Sequence, residues 1–176
     1  MLRRFFRLLY VLGLLAMSSC AKPDLPASVV RAGSEEELAA CRAELVERFG
    51  ADRLAAYDVA LQELQLAGMD RGVAAAADRA AAMRAQVNGR TVRAVEILGW
   101  QARRTRLQAE IKDFSEMLAR DLALREKTAA TGTPQAVTHR IENEQDILAK
   151  LRRLLAEAEA KLAAWDATGP AKDRSP

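Results

Sequence analysis

Histidine and cysteine are scarce in this chain of 176 residues, and their scarcity removes whole classes of chemistry. His139 is the only histidine, and no second histidine or clustered carboxylate set accompanies it, so we expect no metal site. The two cysteines do not form a CxxC pair, and the sequence has no glycine-rich phosphate loop and no nucleophile elbow. We therefore expect no enzymatic activity, no cofactor and no small-molecule substrate.

Proline is almost absent from the middle of the chain, where Pro134 is the only one between residues 34 and 167. Alanine, leucine, arginine and glutamate dominate this region and β-branched residues are sparse, which is typical of helices. We predict an all-α fold over residues 34–167: an elongated helical bundle with a long antiparallel coiled-coil hairpin and a shorter N-terminal helical hairpin. Residues 168–176 are expected to form a disordered tail.

The apolar stretch near the N-terminus, residues 8–16, is too short to span a bilayer, which needs about 20 apolar residues. It follows a cationic start that holds three arginines and precedes small residues, and these are the three parts of a secretory signal. The next four residues, Met17-Ser18-Ser19-Cys20, resemble the lipobox of bacterial lipoproteins. This resemblance covers residues 1–20 and no part of the fold that follows.

The resemblance implies that the chain is cut before Cys20, that a diacylglycerol is attached to the Cys20 sulfur and that the new amine is acylated. Residues 1–19 would be the signal peptide, and residues 20–33, with two prolines and no helical period, would be the lipidated cysteine and a flexible tether. Ala21, where the class places aspartate in proteins kept in the inner membrane, implies the periplasmic face of the outer membrane, with the inner membrane as the alternative. An ordinary cleaved signal or an uncleaved anchor would leave Cys20 as a free thiol.

Charge argues against nucleic acid as a partner. The whole chain carries a formal net charge of +3, but removal of residues 1–19 takes away three arginines and leaves 27 − 3 = 24 basic residues against 24 acidic ones. The charge is nevertheless uneven, with a net −6 over residues 24–70 and a net +6 over residues 71–106. Either the two segments pack together, or an arginine-rich helix face binds an anionic ligand or lipid headgroups. The candidate residues of that face are Arg90, Arg93, Arg103 and Arg106.

The strongest periodicity lies in the last helical region, where apolar residues recur at alternating steps of four and three, with Glu144 as the one polar member. Folding the chain back at the turn "ATGTPQ" (residues 130–135) places Leu162 opposite Trp100 and Arg104 within reach of Glu157 or Glu159. This seam predicts either an internal hairpin contact or a contact with a partner. Its candidate residues are Ile141, Leu148, Leu151, Leu155 and Leu162.

Shorter patterns mark the other helices. Ser34 followed by Glu37 predicts a capping box and a helix start, and Cys41 is expected to be a small buried residue unless it forms a disulfide with a second copy. A long helical region over residues 72–127 either continues through Asn88-Gly89 or breaks there. Together these patterns predict a lipid-anchored periplasmic scaffold that contacts an envelope protein or a second copy of itself.

Overall fold

The computed structural model describes residues 24–70 and 72–167, and it has the predicted all-α fold. A short 3-10 turn, Leu25–Ala27, precedes the helices. The described chain then forms five α-helices: α1 (Glu35–Phe49), α2 (Ala51–Asp70), α3 (Ala76–Val87), α4 (Val92–Thr128) and α5 (Gln135–Ala167). The predicted signal peptide, Cys20 and the predicted tail 168–176 lie outside the described residues.

The predicted capping box fixes the start of α1. The Ser34 hydroxyl accepts a hydrogen bond from the backbone N–H of Glu37 at 3.2 Å. The Glu37 carboxylate in turn accepts from the backbone N–H of Gly33 at 2.9 Å, one residue earlier than the usual box. Gly50, with a φ of 86° that favours glycine, ends α1, and α2 begins at the next residue.

The long helical region breaks at Asn88-Gly89. Gly89 has a φ of 75°, and the backbone N–H of Asn88 still bonds to the carbonyl of Arg84 at 2.9 Å, which closes α3. The Thr91 hydroxyl then accepts from the backbone N–H of Ala94 at 3.2 Å and caps α4. The turn brings the end of α3 and the start of α4 into the same core.

This core is formed by the first four helices together with the residues that precede them. Cys41, which was predicted to be buried, is 2% exposed, and Tyr57 is 0% exposed. Burial of Cys41 agrees with its role as a small core residue and does not favour a disulfide with a second copy. The other large buried side chains of this core are Leu45, Leu54, Leu64, Met83, Val87, Val92 and Val95.

Helices α2 and α4 run parallel and touch at a glycine. A Cβ atom added at Gly99 would overlap the backbone and Cβ of Ala60, so the two helices approach each other where neither has a large side chain. Further along both helices, Glu63 meets Arg103 and Arg106. The contacts follow the same order along both helices, from Ala60 and Gly99 to Glu63 and Arg103, and the helices are therefore parallel.

Residues 24–33 differ from the predicted flexible tether. Leu25, Val30 and Ala32 are at most 5% exposed. The backbone N–H of Val30 donates to the carbonyl of Arg90 at 2.8 Å, and the N–H of Val92 donates to the carbonyl of Ser28 at 2.8 Å. The segment is therefore bound along the start of α4. The tether prediction was wrong here because it relied on the absence of a helical period, whereas Val30 and Ala32 are buried at the two-residue spacing of extended chain.

Helices α4 and α5 form the predicted antiparallel hairpin. Trp100, Ala158 and Leu162 share one buried cluster, so Leu162 lies against Trp100 as the predicted register requires. Near the other end, the Arg140 guanidinium makes a paired contact with the Asp121 carboxylate at 2.7 and 2.9 Å. This bond lowers the pKa of Asp121 below its usual range. Arg104 forms no ion pair with Glu157 or Glu159, all three of which the structure describes, and Glu157 instead lies 3.7 Å from Lys161.

Candidate functional site

Glu63 is the acidic centre of the junction between α2 and α4. Its side chain is 7% exposed, and its carboxylate accepts hydrogen bonds from Arg106 at 2.8 Å (Nη2 to Oε1) and 3.1 Å (Nε to Oε2). Arg103 approaches the same carboxylate at 3.5 Å, and Glu110 binds the other side of Arg106 at 2.6 Å. The hydrogen bonds that Arg106 donates to Glu63 raise the pKa of Arg106, so this guanidinium is a fixed charge.

Trp100 lies beside this junction, and its ring is in contact with two cationic side chains. The ring centroid is 4.2 Å from the Lys161 ammonium of α5 and 5.1 Å from the Arg103 guanidinium. Trp100 is 2% exposed, and its indole Nε1 has no hydrogen-bond partner among the described residues. The Trp100 ring thus makes cation–π contacts with both Lys161 of α5 and Arg103 of α4.

The four arginines of the candidate anionic-partner face all bond to groups of the protein itself. Arg103 and Arg106 converge on Glu63, which belongs to the acidic segment. Arg93 donates to the backbone carbonyl of Trp165 at 2.9 Å, and Arg90 donates to the carbonyl of Gln86 at 2.7 Å. Three of the four are half-buried and only Arg90 is exposed. The structure does not bring them together as an open face, which weighs against the anionic-ligand alternative.

The candidate seam of α5 faces α4. Four of its five residues are buried, and Leu155 is half-buried. The seam therefore belongs to the hairpin itself rather than to an open surface for a partner. The buried members are Ile141, Leu148, Leu151 and Leu162.

Leu107 is the last buried residue of α4, and we call residues 108–153 of the hairpin the distal arm. From Ile111 to Thr128 no residue of α4 is buried, although the facing side of α5 is. Met117 and Leu124 are both 40% exposed. Apolar surface of α4 thus remains uncovered at Met117 and Leu124, in addition to the half-buried residues Ile111, Phe114, Leu118 and Leu122.

Glu144 interrupts the buried seam in the distal arm. It is 5% exposed, and its Oε2 atom has no hydrogen-bond partner in the described part of the chain. Buried carboxylates are costly unless they are paired and hydrogen-bonded. The Arg140 guanidinium, one turn earlier on α5, interacts electrostatically with this carboxylate, but the Oε2 atom remains without a hydrogen bond, so Glu144 is a costly member of an otherwise apolar helix contact.

A cleft of about 360 Å³ lies between α2, α3 and α4, but it carries little chemistry. Its one ionisable lining residue is Arg106, which already binds Glu63. Over residues 24–70 and 72–167 no three histidine, cysteine or carboxylate side chains are placed to hold a metal. None of the described helices has the length and apolarity to cross a membrane. The cleft is lined by Leu64, Ala67, Gln86, Leu98, Gln101, Ala102, Thr105 and Arg106.

The role of Glu63 was not predicted from the sequence. The apolar spacing of α2 indicates a buried side formed by Leu54, Tyr57, Leu61 and Leu64, and Glu63 lies outside that set. The buried surface of α2 also includes Ala60, and Glu63 lies three residues after it on the same face. Ala60, a small residue next to buried positions, was the feature of the sequence that could have indicated a close contact between α2 and another helix.

Comparison with known proteins finds no match: no protein-family model, no curated protein and no solved structure is significantly similar to this chain.

Proposed function

We propose that this protein is a lipid-anchored scaffold of the bacterial cell envelope, held to a membrane through acylated Cys20 and contacting another protein through its helical hairpin. The outer membrane, periplasmic face, is the favoured site because Ala21 follows the cysteine. The order of cationic start, short apolar stretch, small residues and cysteine supports the anchor. Two acyl attachments are sufficient for stable membrane binding, since each buried methylene contributes about 0.8 kcal/mol.

The observation that carries the contact with a partner is the distal arm. The contacts between α2 and α4 described above run from Gly99 to Arg106, and α2 ends at Asp70, seven residues after Glu63. The 21 residues of α4 that follow Leu107 extend the hairpin by about 30 Å. A two-helix arm of this length with exposed Met117 and Leu124 offers an apolar helix surface to a protein partner.

Anchoring is tested by the intact mass of the protein extracted from its native membranes, beside a Cys20→Ala variant. We expect a chain that begins at residue 20 and is heavier by a diacylglycerol and an acyl group, and an unmodified chain for the variant. An unacylated or uncut wild-type chain would refute the anchor.

Contact with a partner is tested by photo-cross-linking in cells from single positions on the distal arm. A photoreactive residue at Met117 or Leu124 should trap a discrete product, whereas the same residue at the exposed charged positions Lys112 and Glu116 serves as the matched control. A product of twice the monomer mass identifies a second copy, and any other discrete mass identifies a different protein. Monomer alone from Met117 and Leu124, or equal products from all four positions, would refute the scaffold function.

A further inference from the structure

The described chain begins only four residues after Cys20, and this short connection fixes which part of the fold can meet the membrane. Four residues of fully extended chain span at most about 14 Å. Asp24 is part of the folded body: its carboxylate lies 3.6 Å from Arg53, and its carbonyl accepts from the backbone N–H of Ala27 at 3.0 Å. If Cys20 is acylated as proposed above, the surface around Asp24 lies within about 14 Å of the anchored residue.

That surface is formed by Asp24, Arg48, Phe49 and Arg53, and we call it the anchor corner. Phe49 is half-buried at the end of α1, with the guanidinium of Arg48 at 5.2 Å and that of Arg53 at 5.6 Å from its ring centroid. Both arginines are exposed. An aromatic ring with guanidinium groups over it is favourable in the headgroup region of a bilayer, because long cationic side chains can reach the phosphate groups there.

The hairpin leads away from this corner. Ser28, four residues after Asp24, bonds to Val92 at the first residue of α4, and the 37 residues of α4 place its far end about 55 Å from there. The anchor and the hairpin tip are therefore at opposite ends of the longest helix.

We propose that the anchor corner lies on the phospholipid headgroups of the membrane that holds Cys20, with Arg48 and Arg53 contacting the phosphates. The inference rests on the proposed acylation of Cys20. Glu47 and Asp52 flank the two arginines, so the attraction acts at contact distance rather than as a long-range field. The occupant is the lipid surface itself, since the connection is too short to admit a folded protein between the corner and the bilayer.

The test uses full-length acylated protein, with its acylation verified by intact mass, in vesicles of phosphatidylethanolamine and phosphatidylglycerol that contain spin-labelled lipid. An environment-sensitive fluorophore is attached to an Ala51→Cys or Ala130→Cys variant, because both alanines are exposed and Cys41 is buried. Ala51 lies between Phe49 and Arg53 in the sequence, next to the anchor corner, and Ala130 is in the turn at the hairpin tip. We expect strong quenching at position 51 and little at position 130, and equal quenching at both positions or none at 51 would overturn the inference.

Two further changes test the cause of the contact. Reversing both charges with Arg48→Glu and Arg53→Glu, or inserting about ten glycine and serine residues after Cys20, should lower the quenching at position 51. The matched control reverses Arg152 and Arg153, which are exposed on α5, and should leave it unchanged. Undiminished quenching in the charge-reversed or lengthened protein would overturn the inference, and a chain without acylation would instead refute the proposed function.

Discussion

Glu63 and Arg106 form a two-point ion pair across the contact between α2 and α4, with nitrogen–oxygen distances of 2.8 and 3.1 Å. Glu63 is 7% exposed and Arg106 is 25% exposed at the side chain. The pair therefore links α2 to α4 just before the distal arm begins. It joins the acidic segment, residues 24–70, to the basic segment, residues 71–106.

Removing the charge of Glu63 should destabilise the protein. Glu63→Gln removes the carboxylate that Arg103 and Arg106 share at a largely buried site and leaves Arg106 paired only with Glu110, so we expect the free energy of unfolding to fall by on the order of 2 kcal/mol. Equilibrium unfolding in denaturant, followed by circular dichroism, measures this change. Glu47→Gln at an exposed position of α1 is the matched control, and an equal effect of the two substitutions would contradict the role assigned to Glu63.

The contact between Gly99 and Ala60 makes a second prediction, because alanine at position 99 would overlap the facing helix. Alanine favours an exposed helix by about 1 kcal/mol relative to glycine, yet we expect Gly99→Ala to lower the melting temperature because α2 and α4 must separate. The control is Gly68→Ala in α2, where the three atoms nearest to the added methyl belong to the Arg79 side chain at 3.1–3.4 Å, a much smaller overlap than the one with the Ala60 backbone. A melting temperature for Gly99→Ala at or above the wild-type value would contradict the observed close approach.

The helices and the hairpin register followed from sequence because their determinants are local or periodic. Leu162 and Trp100 could be paired in advance since both lie on repeating seams joined by one short turn. Arg104 could not be placed in the same way, because a long side chain at a half-buried position has several partners within reach. Lys161 takes the Glu157 carboxylate instead, at 3.7 Å.

Contacts between segments that are distant in sequence could not be predicted, because hydrophobic periodicity carries no information about them. Nothing local to Val30 indicates that its N–H pairs with Arg90, sixty residues later. Glu63 was likewise indistinguishable from a solvated glutamate until its facing helix was known. The arginine face was proposed from the sequence as one surface, but Arg90 and Arg93 bond to separate backbone carbonyls, whereas Arg103 and Arg106 both bond to Glu63.

Glu144 makes a third prediction, which concerns the hairpin alone. Glu144→Leu completes the apolar seam and removes a buried carboxylate oxygen that lacks a described partner, so we expect the free energy of unfolding to rise by about 1 kcal/mol. Thermal unfolding of the full chain measures the gain. Glu142→Leu adds the same side chain at an exposed position of α5 and should give no comparable gain. A destabilised Glu144→Leu variant would mean that the carboxylate is stabilised by a group other than those described.

Glu96 makes the last prediction, which is a dependence of stability on pH. Burial raises the pKa of this half-buried carboxyl of α4, and the Lys161 ammonium only partly opposes the shift. The folded state therefore binds the proton more tightly than the unfolded state, whose pKa is about 4.3, and the contribution of Glu96 to stability declines as pH rises from there through the folded-state pKa. Glu96→Gln removes this decline, so the stability of the variant relative to wild type should increase as pH rises from about 4 through the folded-state pKa of Glu96.

The comparison of the two proteins at each pH isolates Glu96 from other carboxyls, such as Asp121, whose lowered pKa gives the opposite slope. Lys161→Gln provides an independent check. Without the ammonium group the pKa of Glu96 should rise further, so the loss of stability towards neutral pH should become steeper than in wild type. Denaturant unfolding across the pH range gives the dependence of stability on pH for each variant. If the stability difference between Glu96→Gln and wild type does not change with pH, burial of the charged Glu96 carboxylate does not destabilise the fold.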